Sequence, residues 1–309
     1  MRKVINQTRI EGVLYQHNLE LKKTGEKSKN PGTEYITGTV EIATDDKQIN
    51  IVPVHFTYVT AVTSTGKANN TYVVLKNIID GVYKSIMKDG ADVATKFRVD
   101  SALGLNEFYS DRNGQEELVS VKRNEGGFIH AMSEPLTEDE NLRNTFKCDI
   151  VITGATRKEA DEERNIPEKV IVKGAIFNFR NEILPVEFTA LNPNAMNYFE
   201  DLEASAVNPV FTQIWGRQIS ETIVSKKVTE SAFGEDSVTE VRSTRKDFVI
   251  TGAAKEPYVW DDEGSITAQE FKEAISKREI TLATLKQQRE EYKASKNTIA
   301  APTPGGFKF

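Results

Sequence analysis

Residues 35–59 read Tyr-Ile-Thr-Gly-Thr-Val-Glu-Ile-Ala-Thr-Asp-Asp-Lys-Gln-Ile-Asn-Ile-Val-Pro-Val-His-Phe-Thr-Tyr-Val, and residues 171–191 read Ile-Val-Lys-Gly-Ala-Ile-Phe-Asn-Phe-Arg-Asn-Glu-Ile-Leu-Pro-Val-Glu-Phe-Thr-Ala-Leu. Gly38 matches Gly174, and Val52-Pro53-Val54-His55-Phe56-Thr57 matches Leu184-Pro185-Val186-Glu187-Phe188-Thr189, with a shorter turn in the second copy. Val52, Val54, Phe56 and Tyr58 alternate as one face of a half-buried strand does. Proline gives a β-ladder no donor, so Pro53 marks a bulge or an edge, and its recurrence as Pro185 makes the bend part of the repeating unit. Downstream, the stretch from Phe97 to Glu107 can be laid on the stretch from Phe211 to Glu221. A duplicated β module is the economical reading.

The chain of 309 residues has room for two such modules, each with its own core. Its 38% hydrophobic and 28% charged content is that of a globular protein. It has no apolar run long enough to cross a bilayer and no apolar leader, so the expected location is the cytoplasm. Cys148 is the single cysteine, which excludes an internal disulfide framework and a multi-cysteine metal cluster; it reads as a buried thiol. A net charge of −6 argues against a generally basic nucleic-acid binder. The charge is uneven, however: residues 1–130 carry 17 Lys and Arg against 16 Asp and Glu, whereas 166–260 carry 10 against 13. A polyanion meets a local face, not the total.

In chain order, Thr8 to His17 alternates as a first strand, with Ile10, Gly12 and Leu14 inward and Arg9, Glu11, Val13 and Tyr15 outward. A lysine-rich loop, 21–32, precedes the strand pair 34–43 and 49–60. Helical spacing between Asn70 and Gly90 predicts a helix before a fourth strand (Lys96 to Phe108), and Asn113-Gly114 predicts a hairpin into a fifth (Glu117 to Lys122, resuming at Phe128). This first unit spans 1–132 and an acidic linker spans 133–145. The second unit, 146–257, repeats the order, with Asn192-Pro193 starting its helix. A C-terminal helix over 258–294 opens with the capping box Thr267-Ala-Gln-Glu270, and a polar tail occupies 295–309. Phe271, Ile275, Leu282, Leu285 and Tyr292 form its stripe, which Arg278 and Arg289 interrupt; this favours docking on a barrel over a long coiled coil.

Catalysis finds little support. His17, His55 and His130 are isolated from the partners a metal site needs, no glycine-rich phosphate loop precedes a helix, and no nucleophile elbow is present. No catalytic residue, metal or cofactor is therefore assigned.

The order β-β-β-α-β-β is that of an oligonucleotide-binding fold, a five-stranded Greek-key barrel, although other small open barrels share it. The expected fold is mainly β: two tandem five-stranded barrels of this kind, each with a helix between strands three and four, plus a C-terminal helix. Such barrels hold single strands with cations for phosphates and aromatics for bases. Lys22, Lys23, Lys27 and Lys29 lie in the first loop and Arg112 at the hairpin; Tyr15, Tyr35, Arg98 and Lys122 are further outward candidates. The lysines read equally as a solvated loop and the tyrosines as partial core. In the second unit the candidates are Lys173, Phe177, Phe179, Arg180, Trp215 and Arg217. Alternation points both phenylalanines outward beside an arginine, unless a bulge returns them to the core.

The duplicated hairpin with Pro-Val-x-Phe-Thr, the intervening helix and the terminal tail resemble single-stranded-DNA-binding proteins with tandem oligonucleotide-binding folds, of the kind encoded by phages and mobile elements. The resemblance covers roughly residues 5–255. It implies non-catalytic binding of single-stranded DNA, with RNA as the close alternative, in replication or recombination. Bacterial members end in an acidic tail with a hydrophobic tip that recruits partner proteins. Phe307 and Phe309 could form such a tip, but Lys296 and Lys308 stand where acids are expected. The competing reading is a virion or adaptor component whose barrels make only protein contacts.

Overall fold

The computed structural model describes residues 4–112, 115–161, 166–229, 237–262 and 266–299, and the backbone alone at 112, 221–229, 237–245 and 295–299. The first half comprises β1 (Asn6–His17), β2 (Glu20–Lys23), β3 (Glu34–Ala43), β4 (Ile51–Thr60), α1 (Asn70–Ile79), α2 (Ile86–Asp89), β5 (Lys96–Arg112) and β6 (Gln115–Ala131). After a 3-10 turn at Glu140–Leu142 come β7 (Asn144–Lys158), β8 (Lys169–Phe177), β9 (Ile183–Ala190), α3 (Pro193–Asp201), β10 (Val210–Thr229), β11 (Ser237–Ala253) and α4 (Ala268–Ile299).

Strand pairing closes two rings of the same topology. β1 pairs β3 and β5, β3 pairs β4, β5 pairs β6, and β4 meets β6 in parallel. In the second half β7 pairs β8 and β10, β8 pairs β9, β10 pairs β11, and β9 meets β11 in parallel. These are two oligonucleotide-binding barrels. Ile10, Leu14, Val54, Phe56 and Phe97 fill the first interior; Ile150, Val172, Phe188 and Ile214 fill the second. Each barrel takes a helix between its third and fourth strands. α1 is capped by Asn69 and packs Leu75 and Ile78 into the first core; α3 is capped by Asn192 and packs Met196 and Phe199 into the second.

The two hairpins occupy equivalent places with registers offset by two. Gly38 lies opposite Phe56, whereas Gly174 lies opposite Val186, the counterpart of Val54. An even offset keeps every side chain on its face. Gly38 is required where it stands: its φ is 130°, and a Cβ would lie 2.6 Å from the Asn18 carbonyl oxygen. The overlay of Phe97 on Phe211 is out by one residue. Phe97 faces its barrel interior, while Phe211 faces outward into a third apolar cluster with Ile266 and Phe271.

Three features depart from the sequence reading. Part of the lysine loop is strand, since β2 pairs β3 from Glu20 to Lys23. β5 and β6 run on past the first barrel as a two-stranded arm, whose Leu103 joins the second barrel's core. Glu11, expected outward, is buried, and its carboxylate accepts hydrogen bonds from the Thr137 amide and hydroxyl.

The barrels are joined edge to edge. Asn6–Ile10 of β1 pairs antiparallel with Asn144–Cys148 of β7, making one continuous sheet of eleven strands. Around this seam Asn124 Nδ2 donates to Gln218 Oε1 (2.9 Å), the Ser220 amide donates to Asn50 Oδ1 (2.6 Å), and Asn6 Nδ2 donates to the carbonyls of Leu103 (2.9 Å) and Phe177 (3.0 Å). Cys148 is buried beside the seam, and desolvation pushes its thiol pKa up.

α4 begins at the expected capping box: the Glu270 amide donates to Thr267 Oγ1 (3.0 Å) and the Thr267 amide to Glu270 Oε2 (2.9 Å). Its inward row is Phe271, Ala274, Arg278, Leu282, Leu285, Arg289 and Lys293. The apolar start packs on the second barrel with Val151, Ala175, Phe177 and Ile183. The cationic end meets the arm: Arg278 pairs Glu107 (2.6 Å), and Arg289 and Lys293 pair Asp111 and Glu116 at 2.8–3.0 Å. The arginines that interrupt the apolar stripe are thus the part of the helix that reads the arm. No described helix is long and apolar enough to cross a membrane.

Candidate nucleic-acid interface

Alternation on a strand fixes which residues leave the barrel, and the strand's neighbours decide whether leaving it means meeting water. Phe177 does point out of its barrel, as its spacing predicts, but α4 lies over it and its ring is 0% exposed against Phe271. It is a core residue, and its assignment as a stacking platform is corrected. Phe179, two residues on in the turn, is 89% exposed, with the Arg180 guanidinium 5.1 Å from its ring centroid. Lys173 is exposed and pairs with Glu187 at 3.6 Å.

Lys122 is corrected in the same way. Its ammonium donates to the Glu187 carbonyl (2.5 Å) and sits 5.1 Å from the Phe248 ring, so it fastens the arm to the second barrel. Desolvation there lowers its pKa.

The other candidates lie on the first barrel. Lys22, Lys23, Lys27 and Lys29 are exposed on and beyond β2, with Lys22 paired to Glu20 at 2.6 Å, a bond that raises its pKa. Tyr35 is Lys22's cross-strand partner, and its ring packs at 4.7 Å and 37° against Tyr58, which is half exposed. Tyr15 is half-buried on β1. Arg112 ends β5 beside Asn113 and Gly114, and its side chain, like Phe307 and Phe309, lies outside the described residues.

A broad concavity lies elsewhere, over the seam. A groove of about 2230 Å³ is floored by the outer faces of β10, β7, β1 and β5 and walled by the β8–β9 turn, β6 and β11. Strand register sets its floor in rows. Arg217 lies beside Thr145, Thr145 beside Arg9, Arg9 beside Asp100, and Asp100 beside Phe128. At about 4.8 Å per strand the row is roughly 19 Å long. A second row sets Trp215 beside Lys147 and Lys147 beside Gln7.

The groove's exposed rings are Phe128 (68%), Phe179 and Trp215 (40%). Trp215 lies flat on β11 because its neighbour is Gly252, where a Cβ would collide with the indole. Its cations are Arg9, Lys147, Arg217 and Lys255 against the acids Asp100 and Glu125. Arg9 Nε bonds Asp100 Oδ1 at 3.0 Å, and Arg98 Nε stands 3.5 Å from Asp100 Oδ2. Glu125 is held by Arg123 at 2.6 Å. Among the described residues no carboxylate pairs with Lys147, Arg217 or Lys255, and no group of three His, Cys, Asp or Glu converges as metal ligands would.

Of the sequence candidates, Phe179, Trp215 and Arg217 are brought together here with the buried Phe177, and Arg98, outside the lining, touches the groove's edge through Asp100. The lysine hairpin and the Tyr35–Tyr58 pair are not part of the lining. Arg9, Phe128, Lys147 and Lys255 were missed. Arg9 was legible as an outward strand residue; what was not legible was that β7 would bring Lys147 alongside it.

The family model named YorF matches residues 4–288, and the chain belongs to that family. No curated protein matches it. Among solved structures it is similar to the wild-type single-stranded DNA binding protein from Thermus aquaticus (9% identity, 84% of this chain and 96% of that chain, TM-score 0.46). A deletion mutant of that protein gives 10% identity over 84% and 97%, with the same TM-score of 0.46. A likeness of that strength says nothing about what this chain binds.

Proposed function

We propose that this YorF-family chain is a non-catalytic binder of single-stranded DNA, which it covers during replication or recombination. The observation that carries this reading is the seam groove, where three exposed aromatic rings and four cations line one concavity over a continuous sheet. Stacking on Phe128, Phe179 and Trp215 suits unpaired bases, since every base has a π-face and a duplex hides it. Arg9, Lys147, Arg217 and Lys255 supply the phosphate contacts, and the lysine hairpin, outside the groove lining, offers a separate cationic patch on the first barrel. Stacking tolerates any base, so sequence preference is modest. RNA offers the same faces and charges and is the nearest competitor.

The two tryptophans allow a direct test. Trp260 packs on Phe211 and Phe271 and donates to the Pro209 carbonyl (3.2 Å), away from the groove, so Trp260→Phe leaves Trp215 as the only indole reporter. Titration with oligo(dT) should quench its emission, with affinity falling steeply as salt rises, by roughly 0.7 log units per log unit of salt for each phosphate contacted. Oligo(rU) and duplex DNA should bind more weakly. Absence of any binding at low salt would overturn the reading in favour of an assembly protein that uses the barrels for protein contacts.

A further inference from the structure

The two halves of the groove are not equally ready for an anion. In the second barrel's half, Lys147, Arg217 and Lys255 have no carboxylate partner among the described residues. In the first barrel's half, Asp100 sits between two arginines: its Oδ1 is 3.0 Å from Arg9 Nε and its Oδ2 is 3.5 Å from Arg98 Nε. All three side chains remain partly exposed, at 58% for Arg9, 43% for Arg98 and 36% for Asp100, so the carboxylate is reached from solvent. Phe128, on the β6 wall, is 68% exposed and is the next residue in that row. A phosphate oxygen approaching Arg9 would therefore meet a position already held by a carboxylate oxygen, immediately beside a surface on which a base can stack.

We propose that Asp100 is a built-in counter-ion that sets the affinity of the first barrel's half of the groove for a phosphodiester strand. The proposal rests on the single-strand reading. A strand enters on the free cations of the second barrel, and its path across the seam is completed only as phosphate replaces Asp100 on Arg9 and Arg98. Because like charges repel, Asp100 also penalises any strand that lies over the row without displacing it. The arrangement makes occupancy of the first half weaker and less salt-sensitive than occupancy of the second, because a phosphate that replaces a carboxylate releases fewer counterions than one that meets a free cation.

The test is the isosteric change Asp100→Asn in the full chain, titrated with oligo(dT) of about 30 nucleotides at several salt concentrations. Freed arginines should tighten binding by roughly two- to fivefold, the scale of one exposed ion pair, and steepen the log–log salt slope by up to about 0.7 per arginine recruited. Asp92→Asn, an exposed acid outside the groove lining, removes the same charge and should change neither quantity appreciably. Adding Arg9→Ala to Asp100→Asn should cancel most of the gain. Wild-type binding that is matched in affinity and slope by Asp100→Asn overturns the proposal and leaves the single-strand reading intact. If neither protein binds, both fall. A gain as large in Asp92→Asn as in Asp100→Asn would reduce the effect to net charge and also overturn it.

Discussion

Phe177 and Phe179 lie two residues apart at the end of one strand, and their replacement by alanine should have opposite consequences. Phe177 is 0% exposed beneath α4. A buried phenylalanine removes about 150–250 Å² from water, worth ~4–6 kcal/mol at ~25 cal/mol per Å². Measured Phe→Ala changes in cores fall at about 3–5 kcal/mol. Phe177→Ala should therefore lower the melting temperature by on the order of 6–15 °C. Its effect on α4 should also be visible, because Phe271 loses its edge-on neighbour at 6.5 Å. Phe179, at 89% exposure, has almost nothing to lose on the folded side, and its replacement should cost under about 0.5 kcal/mol of stability. What it should lose is binding, by about 1–3 kcal/mol if its face carries a base, with the salt slope unchanged. Calorimetry followed by oligo(dT) titration separates the two. A Phe177→Ala protein that melts like wild type would refute the placement of α4, and a Phe179→Ala protein with full affinity would remove that ring from the strand's path.

Gly252→Ala should displace the Trp215 indole from its seat, shifting tryptophan emission and weakening oligo(dT) binding without a comparable loss of melting temperature. Arg278→Met leaves Glu107 without its partner at a site where both side chains are under a fifth exposed (17% and 16%); it should cost about 2 kcal/mol, less than the ~3–5 kcal/mol of a fully buried pair, by thermal melting. Changing Lys22, Lys23, Lys27 and Lys29 together to Ala should flatten the salt slope by up to roughly 0.7 per lost contact and leave the fold intact; an unchanged slope would confine the strand to the seam. Lys122 gives a pH signature. Its folded pKa is lowered, so between that value and its ordinary 10.5 the unfolded chain binds the extra proton, and stability gains from this residue as pH rises through the window. Chemical denaturation of Lys122→Met across that range should show the gain abolished.

The repeat, the barrel topology and the α4 capping box were legible because each is local. Alternation, a glycine with positive φ and a Thr-x-x-Glu cap are written within a few residues of where they act. Faces covered by distant elements were not. Phe177 obeys its alternation, yet nothing near it says that Phe271, nearly a hundred residues later, will cover it. Lys122 reads as an outward lysine until the second barrel supplies the Glu187 carbonyl and the Phe248 ring. The groove was illegible for the same reason, since it is made by the pairing of β1 with β7 and each strand alone shows only ordinary alternation.

That pairing has a consequence for how the site behaves on dilution. Edge strands joined across two separate molecules come apart as concentration falls, and any surface they build disappears with them. Here residues 132–143 connect the last strand of one barrel to the seam strand of the other, so the partner is always present at the high effective concentration of a short tether. The groove should therefore persist unchanged from micromolar to trace amounts of protein. Cutting the chain within 132–143 would turn a fixed site into one that must be reassembled, with two bare strand edges left open to other partners.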